Sequence, residues 1–71
     1  MVNEHYKQTG IDPLTAYRKG LLSAEEYRGF IKGNIIKYIH RYRHKGGLND
    51  LFKAKDYINI LISFEDEMED M

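Results

Sequence analysis

The residues best suited to chemistry are cationic and lie close together between positions 27 and 45. This segment holds six of the eleven Lys and Arg residues, two of the three His residues and no acid. Within it, Lys37, Arg41 and Lys45 recur at intervals of four, which places them on one face of a helix. Such a stripe suits a phosphate-bearing ligand. A merely solvated cationic face is the alternative.

Other side chains of the segment extend this candidate ligand surface. Asn34 can read the edge of a base, and Tyr38, one turn from both Asn34 and Arg41, can stack on one. Gly29 and Gly33 each cost a helix about 0.5–1 kcal/mol relative to Ala, so we expect close helix packing or a ligand against the bare backbone there. The candidate binding residues of this segment are Arg28, Gly33, Asn34, Lys37, Tyr38, Arg41 and Lys45.

The two ends of the chain have a different composition. Residues 1–10 show no period and are typical of an extended arm, and His5, Tyr6 and Lys7 become further candidate binding residues if that arm docks on the fold. Residues 65–71 hold five acids and no base, which is typical of a frayed, solvated tail. Pairing with a basic surface of a neighbouring subunit, or mimicry of phosphate, is the alternative.

Local patterns predict helices to position these groups. Asp12-Pro13 starts a short helix over residues 13–19, and Gly20 ends it. A capping box from Ser23 to Glu26 starts a long helix over residues 24–45, which Gly46-Gly47 ends. The side chains expected to face inward are Leu14, Tyr17, Leu21, Tyr27, Phe30, Ile31, Ile35, Tyr38, Ile39 and Tyr42.

A third helix is expected over residues 50–66, capped by Asn49 or Asp50. Its inward residues are expected to be Leu51, Ala54, Tyr57, Ile58, Leu61 and Ile62. The short Gly-Gly connection predicts an antiparallel hairpin of the two longer helices. The predicted fold is therefore all-α, with a short N-terminal helix beside this hairpin.

Size and composition limit the remaining possibilities. The 71 residues form at most one domain, and a chain this short buries only about 60% of its unfolded surface. It contains no Cys, its net charge is zero, and three scattered His residues do not suggest a metal site. We therefore expect no cofactor, and we expect a homo-oligomer as the source of added stability. No apolar run approaches the ~18 residues of a membrane span, which predicts a soluble intracellular protein.

The sequence contains no plain signature of an enzyme. There is no Gly-x-x-x-x-Gly-Lys-Ser/Thr loop, no Cys nucleophile and no Ser or Thr with a recognisably paired His. Glu25 and Glu26 are used at a helix start rather than in a magnesium site. Binding is therefore favoured over catalysis.

The combined pattern resembles the small phage domain called SaV-like or DUF3310. It is carried by Arg28-Gly29-Phe30, Gly33-Asn34, Lys37-Tyr38 and Lys53-Ala54, within a likeness that runs from His5 to about Leu61. That family occurs in bacteriophages and prophages, including part of a nucleotide kinase of T7-like phages that lacks the usual phosphate loop. The resemblance implies a phage origin, a place in the host cytoplasm and contact with nucleotides.

Four functions follow from these observations. The first is a non-catalytic binder that sequesters a nucleotide or cyclic dinucleotide signal against host defence. The second is a nucleotide kinase or phosphohydrolase, with His5 or His40 as proton carrier. The third is an inhibitor of a host protein. The fourth, nucleic-acid binding, is disfavoured because the chain is neutral and its end is acidic.

Overall fold

The computed structural model describes residues 12–69, which are helical except for residue 12 and the connection over residues 19–23. Helix α1 spans Pro13–Arg18, α2 spans Ala24–Arg41, and α3 spans Gly47–Glu69. A π-helical turn, Tyr42–Gly46, joins α2 to α3. The all-α prediction is confirmed, since no strand occurs in this range. Within residues 12–69, no helix combines the length and apolar character that crossing a bilayer requires.

The two predicted helix starts are present as hydrogen bonds. The Asp12 carboxylate accepts from the Thr15 amide at 3.0 Å and from the Thr15 hydroxyl at 2.9 Å. At the start of α2 the Ser23 hydroxyl accepts from the Glu26 amide, and the Glu26 carboxylate accepts from the Ser23 amide. Gly20, just after α1, has φ +82°, a conformation that glycine adopts without strain. Short-range patterns thus fix where α1 and α2 begin.

The start of α3 was predicted wrongly. The helix begins at Gly47 rather than at residue 50, so Asp50 lies within its first turn and not at its cap. The difference arises at Gly47, whose non-helical backbone (φ +55°, ψ −139°) turns the chain from the π-helical turn directly into α3, ahead of the predicted caps. At the other end, α3 continues to Glu69, so residues 65–69 are helical and not a frayed tail. The last two residues lie outside the described range.

The core lies where α1, α2 and α3 meet. Tyr27, Ile31 and Phe64 form its buried centre. The Phe64 ring meets Tyr27 edge-on at 4.9 Å and Tyr17 of α1 at 5.1 Å between centroids, and Tyr17 stacks on Tyr27 at 5.4 Å. The Tyr17 hydroxyl also donates to the Met68 sulfur at 3.7 Å. These aromatic contacts attach α1 to the pair of long helices.

Helices α2 and α3 run in opposite directions. The Arg28 side chain, near the start of α2, pairs with Glu65 near the end of α3. Arg41, at the end of α2, pairs with Asp50 at the start of α3. Ala54 is buried between these two ion pairs. The helix pair thus has one ion pair near each end and the aromatic core toward the end that carries α1.

Several residues predicted to face inward remain exposed. Leu21 is 63% exposed and Ile62 is 61% exposed, while Ile39, Ile58 and Phe30 are exposed to between 38% and 47%. The physical reason is geometric: one partner helix covers only part of a wide apolar stripe, and α1 is six residues long. Two long helices and a short one therefore leave part of the predicted core uncovered.

The glycines of α2 are not explained by close packing within the chain. A Cβ atom built at Gly29 or Gly33 would meet nothing within 4 Å among the described residues. The expected close helix approach is therefore absent among residues 12–69. A close approach to another subunit, or to a ligand, stays a prediction.

We expect Gly29→Ala and Gly33→Ala each to stabilise the protein by about 0.5–1 kcal/mol, because alanine lowers the entropy cost of the helix and meets no clash. Urea unfolding followed by circular dichroism measures this change. Loss of stability in either variant would show that another molecule occupies the open space. Gly46→Ala is the contrasting variant, since its Cβ would clash with the Asp50 carboxyl group.

Candidate functional site

Three cationic side chains gather around one tyrosine ring. The ammonium of Lys37 lies 4.7 Å from the centroid of Tyr38, the guanidinium carbon of Arg41 lies 5.0 Å away, and the ammonium of Lys53 lies 5.4 Å away. The first two come from α2 and the third from α3, so both helices build the cluster. Each cation–π contact is worth about 0.5–1 kcal/mol at an exposed site. We call Lys37, Tyr38, Arg41 and Lys53 the cation cluster.

Arg41 is held in place by a buried carboxylate. Its Nε donates to Asp50 Oδ2 at 2.9 Å and its Nη2 to Oδ1 at 3.4 Å. Asp50 is only 1% exposed. The hydrogen bond from Arg41 lowers the pKa of Asp50, and the charges of Arg41 and Lys53 and a backbone hydrogen bond from Gly46 act in the same direction against desolvation. Asp50 is therefore ionised at neutral pH and orients the guanidinium beside Tyr38.

The π-helical turn makes this arrangement possible. It opens the helix by one residue per turn at the end of α2, and such turns occur often at functional sites. Gly46 closes the turn against Asp50, leaving no room for a side chain. The same turn moves Lys45 out of the four-residue line that it would share with Lys37 and Arg41 in a continuous α-helix. The predicted three-cation stripe therefore does not continue to Lys45.

Aromatic rings extend the cluster along the same side. Tyr57 stacks on Tyr38 with centroids 6.0 Å apart and an angle of 16°, and Phe30 meets Tyr57 edge-on at 6.2 Å. Asn34 lies one turn before Tyr38, and its Nδ2 donates to the Phe30 carbonyl at 3.0 Å. The cation cluster thus borders a surface of stacked rings with an amide beside it.

The structure brings some of the predicted binding residues together and separates others. Asn34, Lys37, Tyr38 and Arg41 share one side of α2. Arg28 lies about 15 Å from Tyr38 along the helix, where its guanidinium donates to Glu65 at 2.9 Å and to Glu25 at 3.2 Å. Gly33 faces away from both other helices, and Lys45 is exposed in the π-helical turn. Those that fall outside the described residues are His5, Tyr6 and Lys7.

Sequence patterns alone missed three members of this surface. Lys53 and Tyr57, four residues apart on α3, face α2 and complete the ring of cations and the aromatic stack. Asp50 looked like a cap because acids are common at helix starts. The lack of acids in residues 27–49 was the available signal, since Asp50 is the first acid after Arg41 in the chain and so its nearest possible partner in that direction.

A second concave surface lies at the other end of the molecule. A groove of about 300 Å³ runs between α1 and α3, and its lining is largely apolar, with Leu14, Tyr27, Ile60 and Phe64 among its residues. Arg18 and Glu67 lie at this groove as well. It does not include the cation cluster. In the described part of the chain, no three His, Asp or Glu side chains come together as a potential metal site.

The two ion pairs make the stability of the fold depend on pH. Contact with Arg28 lowers the pKa of Glu65 from its ordinary value of 4.5, and contact with Arg41 lowers that of Asp50 from 3.8. A carboxylate with a lowered pKa in the folded state stabilises the fold above its ordinary pKa, and that stability is lost as pH falls through the ordinary value toward the folded one.

We therefore expect the melting temperature to stay high at neutral pH and to fall steadily below about pH 4.5, with most of the loss due to Asp50 because Glu65 is more exposed. Thermal melts across this range measure the effect. Asp50→Asn should flatten the lower part of the profile. A wild-type profile that is already flat would contradict the role given to these pairs.

The described residues define a small all-helical protein with a cationic and aromatic surface across two antiparallel helices. Residues 2–59 match the family model described as a protein of unknown function (DUF3310), which is more than half of the chain. The chain belongs to this family. No curated protein and no solved structure matches it.

Proposed function

We propose that this protein binds a nucleotide, including cyclic forms, at the cation cluster and the adjoining rings. The supporting observation is the convergence of Lys37, Arg41 and Lys53 on Tyr38 from two helices. Among the described residues neither lysine forms a salt bridge. A surface that groups three cations and neutralises one of them is suited to an anionic partner.

Phosphate is the anion that this geometry fits best. Asp50 offsets one of the three cations and fixes the Arg41 guanidinium, so the cluster keeps an excess of positive charge. The guanidinium offers directed donors, whereas the two ammonium groups sit on flexible stems and adapt to phosphate oxygens. Repulsion among the cations, a few tenths of a kcal/mol per pair, turns into attraction when phosphate binds.

The aromatic surface supplies a place for a base. Tyr38 and Tyr57 are stacked, and Phe30 continues the surface away from the cations. Stacking of a base on such a ring contributes about 1–3 kcal/mol and tolerates different bases. Asn34 lies beside these rings, and its amide is the group available to discriminate among base edges. A phosphate at the cluster and a base on the rings together describe a nucleotide.

Holding the ligand is favoured over altering it. The carboxylate beside the cluster, Asp50, is buried against Arg41 with a lowered pKa, which makes it a poor proton acceptor. His40, two residues from Tyr38, projects to a different side of α2. In a phage, a protein that binds a nucleotide signal without changing it would sequester that signal from a host defence in the cytoplasm. This role follows the resemblance of the sequence to phage proteins.

Calorimetric titration of the full chain against mono-, di- and cyclic nucleotides tests the proposal. We expect at least one member to bind and to be recovered chemically intact after the complex is heated. Recovery of a converted product would instead support the kinase or phosphohydrolase alternative. Failure of every nucleotide to bind would exclude the proposed function.

A further inference from the structure

One side of the helix pair is apolar and is left uncovered by the other residues of the described range, 12–69. Arg28 and Glu65 contact each other across the two helices, so they mark the same side of both. On α2, the positions 7 and 11 residues after Arg28 lie on that side as well. On α3, the same holds for the positions 3, 7 and 14 residues before Glu65. The residues found there, which we call the bare face, are the exposed Ile39, Ile58 and Ile62 and the half-buried Ile35 and Leu51.

The bare face consists of residues that the sequence pattern assigned to a core. Ile39, Ile58 and Ile62 are 47%, 41% and 61% exposed. Helix α1 covers the opposite side, where Leu14 and Ile60 line the same groove. A contiguous apolar patch rimmed by charge marks an interaction surface in a soluble protein. Apolar residues that have the spacing of a core and yet are exposed indicate a partner that buries them.

The charges along the bare face identify that partner. On α3 a single stripe, at intervals of three and four residues, consists of Leu51, Lys55, Ile58, Ile62, Glu65 and Glu69. Its apolar centre is thus flanked by a base on one side and by two acids on the other. The central run of Lys55, Ile58, Ile62 and Glu65 reverses into its own complement when the helix is turned end over end, whereas Leu51 and Glu69 at the two ends do not form a complementary pair.

We infer that a second copy of this chain packs on the bare face, with the two α3 helices antiparallel. A two-fold axis crossing α3 at residue 60 places Ile58 opposite the partner's Ile62 and Lys55 opposite the partner's Glu65. A parallel arrangement would instead oppose Lys55 to Lys55 and Glu65 to Glu65. The antiparallel dimer buries both bare faces as a four-helix bundle, with the same patch used by each copy.

This arrangement leaves the cation cluster outside the interface. Lys53 and Tyr38 belong to the side of the pair that faces away from the bare face, so each copy keeps a complete cluster. Glu65 accepts from Arg28 in its own chain, and a carboxylate has the capacity to accept from Lys55 of the partner as well. Association and nucleotide binding are therefore separable in experiment.

Light scattering coupled to size exclusion measures the mass in solution. We expect at least two copies of the 8.4 kDa chain for the wild type, and a single copy for Ile58→Glu/Ile62→Glu with its helical circular dichroism retained. Phe52→Glu is the matched control, since Phe52 is 58% exposed on another side of α3. A monomeric wild type, or a control that dissociates while the isoleucine variant does not, would overturn the inference.

A charge variant tests the orientation without touching the apolar centre. Lys55→Glu places an acid opposite the partner's Glu65 at two symmetric positions in the dimer. Because like charges repel, we expect the dissociation constant of the dimer to rise on the order of tenfold at low salt. Lys53→Glu, on the side of the cation cluster, should leave that constant unchanged. Equal effects of the two substitutions, or none for Lys55→Glu, would rule out the antiparallel arrangement.

Discussion

Phe64→Ala is expected to leave most of the protein unfolded at 37 °C. Phe64 is 5% exposed and its ring contacts Tyr17, Tyr27 and the Arg28 guanidinium. Truncating a buried phenylalanine costs about 3–5 kcal/mol. In a domain of this size each kcal/mol lowers the melting temperature by about 4–8 °C. Because so few side chains are fully buried in the described fold, the remaining contacts do not offset this loss.

Phe52→Ala on the same helix is the control for this prediction. Phe52 is 58% exposed, so its truncation should change the free energy of unfolding by less than about 0.5 kcal/mol. Thermal melts of both variants under one set of conditions make the comparison. Similar losses for the two would show that the aromatic junction of α1, α2 and α3 is not the centre of stability.

Reversing the two lysines of the cation cluster is expected to abolish nucleotide binding. In Lys37→Glu/Lys53→Glu the excess of positive charge beside Tyr38 becomes an excess of negative charge. Hydrogen bonds to charged groups contribute about 1.5–3 kcal/mol each, so the loss of two should weaken affinity on the order of 100-fold or more. Both lysines are exposed, and the helical circular dichroism should persist.

Lys32→Glu/Lys55→Glu is the matched control, with the same change in net charge at two exposed lysines of the same helices. We expect this pair to retain nucleotide affinity within a few-fold in low salt, because each copy keeps a complete cation cluster even where Lys55→Glu weakens the dimer, and the attraction of the site for anions falls only through the general charge of the protein. Equal loss in the two double variants would show that net charge, and not the cluster around Tyr38, determines binding.

The local features of the fold could be predicted from sequence. The hydrogen bonds of Asp12 and of Ser23 with Glu26 depend on residues three apart, and such contacts are written directly in the chain. Gly20 likewise indicates a positive φ at its own position, where the first helix ends. These helix starts, together with apolar residues at intervals of three and four, were enough to predict that the segments are helices.

The long-range features of the fold could not be predicted from sequence. Asp50 resembles a helix cap until Arg41 is known to lie beside it, and the π-helical turn that brings them together has no marked sequence pattern. Lys53 joins the cluster only once α3 is placed against α2. The width of the apolar stripe was visible, but which part of it α1 and the partner helix would cover was not. Ile39, Ile58 and Ile62 were therefore assigned to a core, although residues 12–69 leave them exposed.

The most direct test of nucleotide binding at the cluster is a proton NMR titration of the tyrosine rings with the tightest-binding nucleotide of the panel. We predict that the ring signals of Tyr38 and Tyr57 shift in proportion to saturation, while those of Tyr17 and Tyr27 stay in place. The shifts should vanish in Lys37→Glu/Lys53→Glu and persist in Lys32→Glu/Lys55→Glu. Shifts confined to Tyr27, which lines the groove beside α1, would place the ligand there and contradict the account.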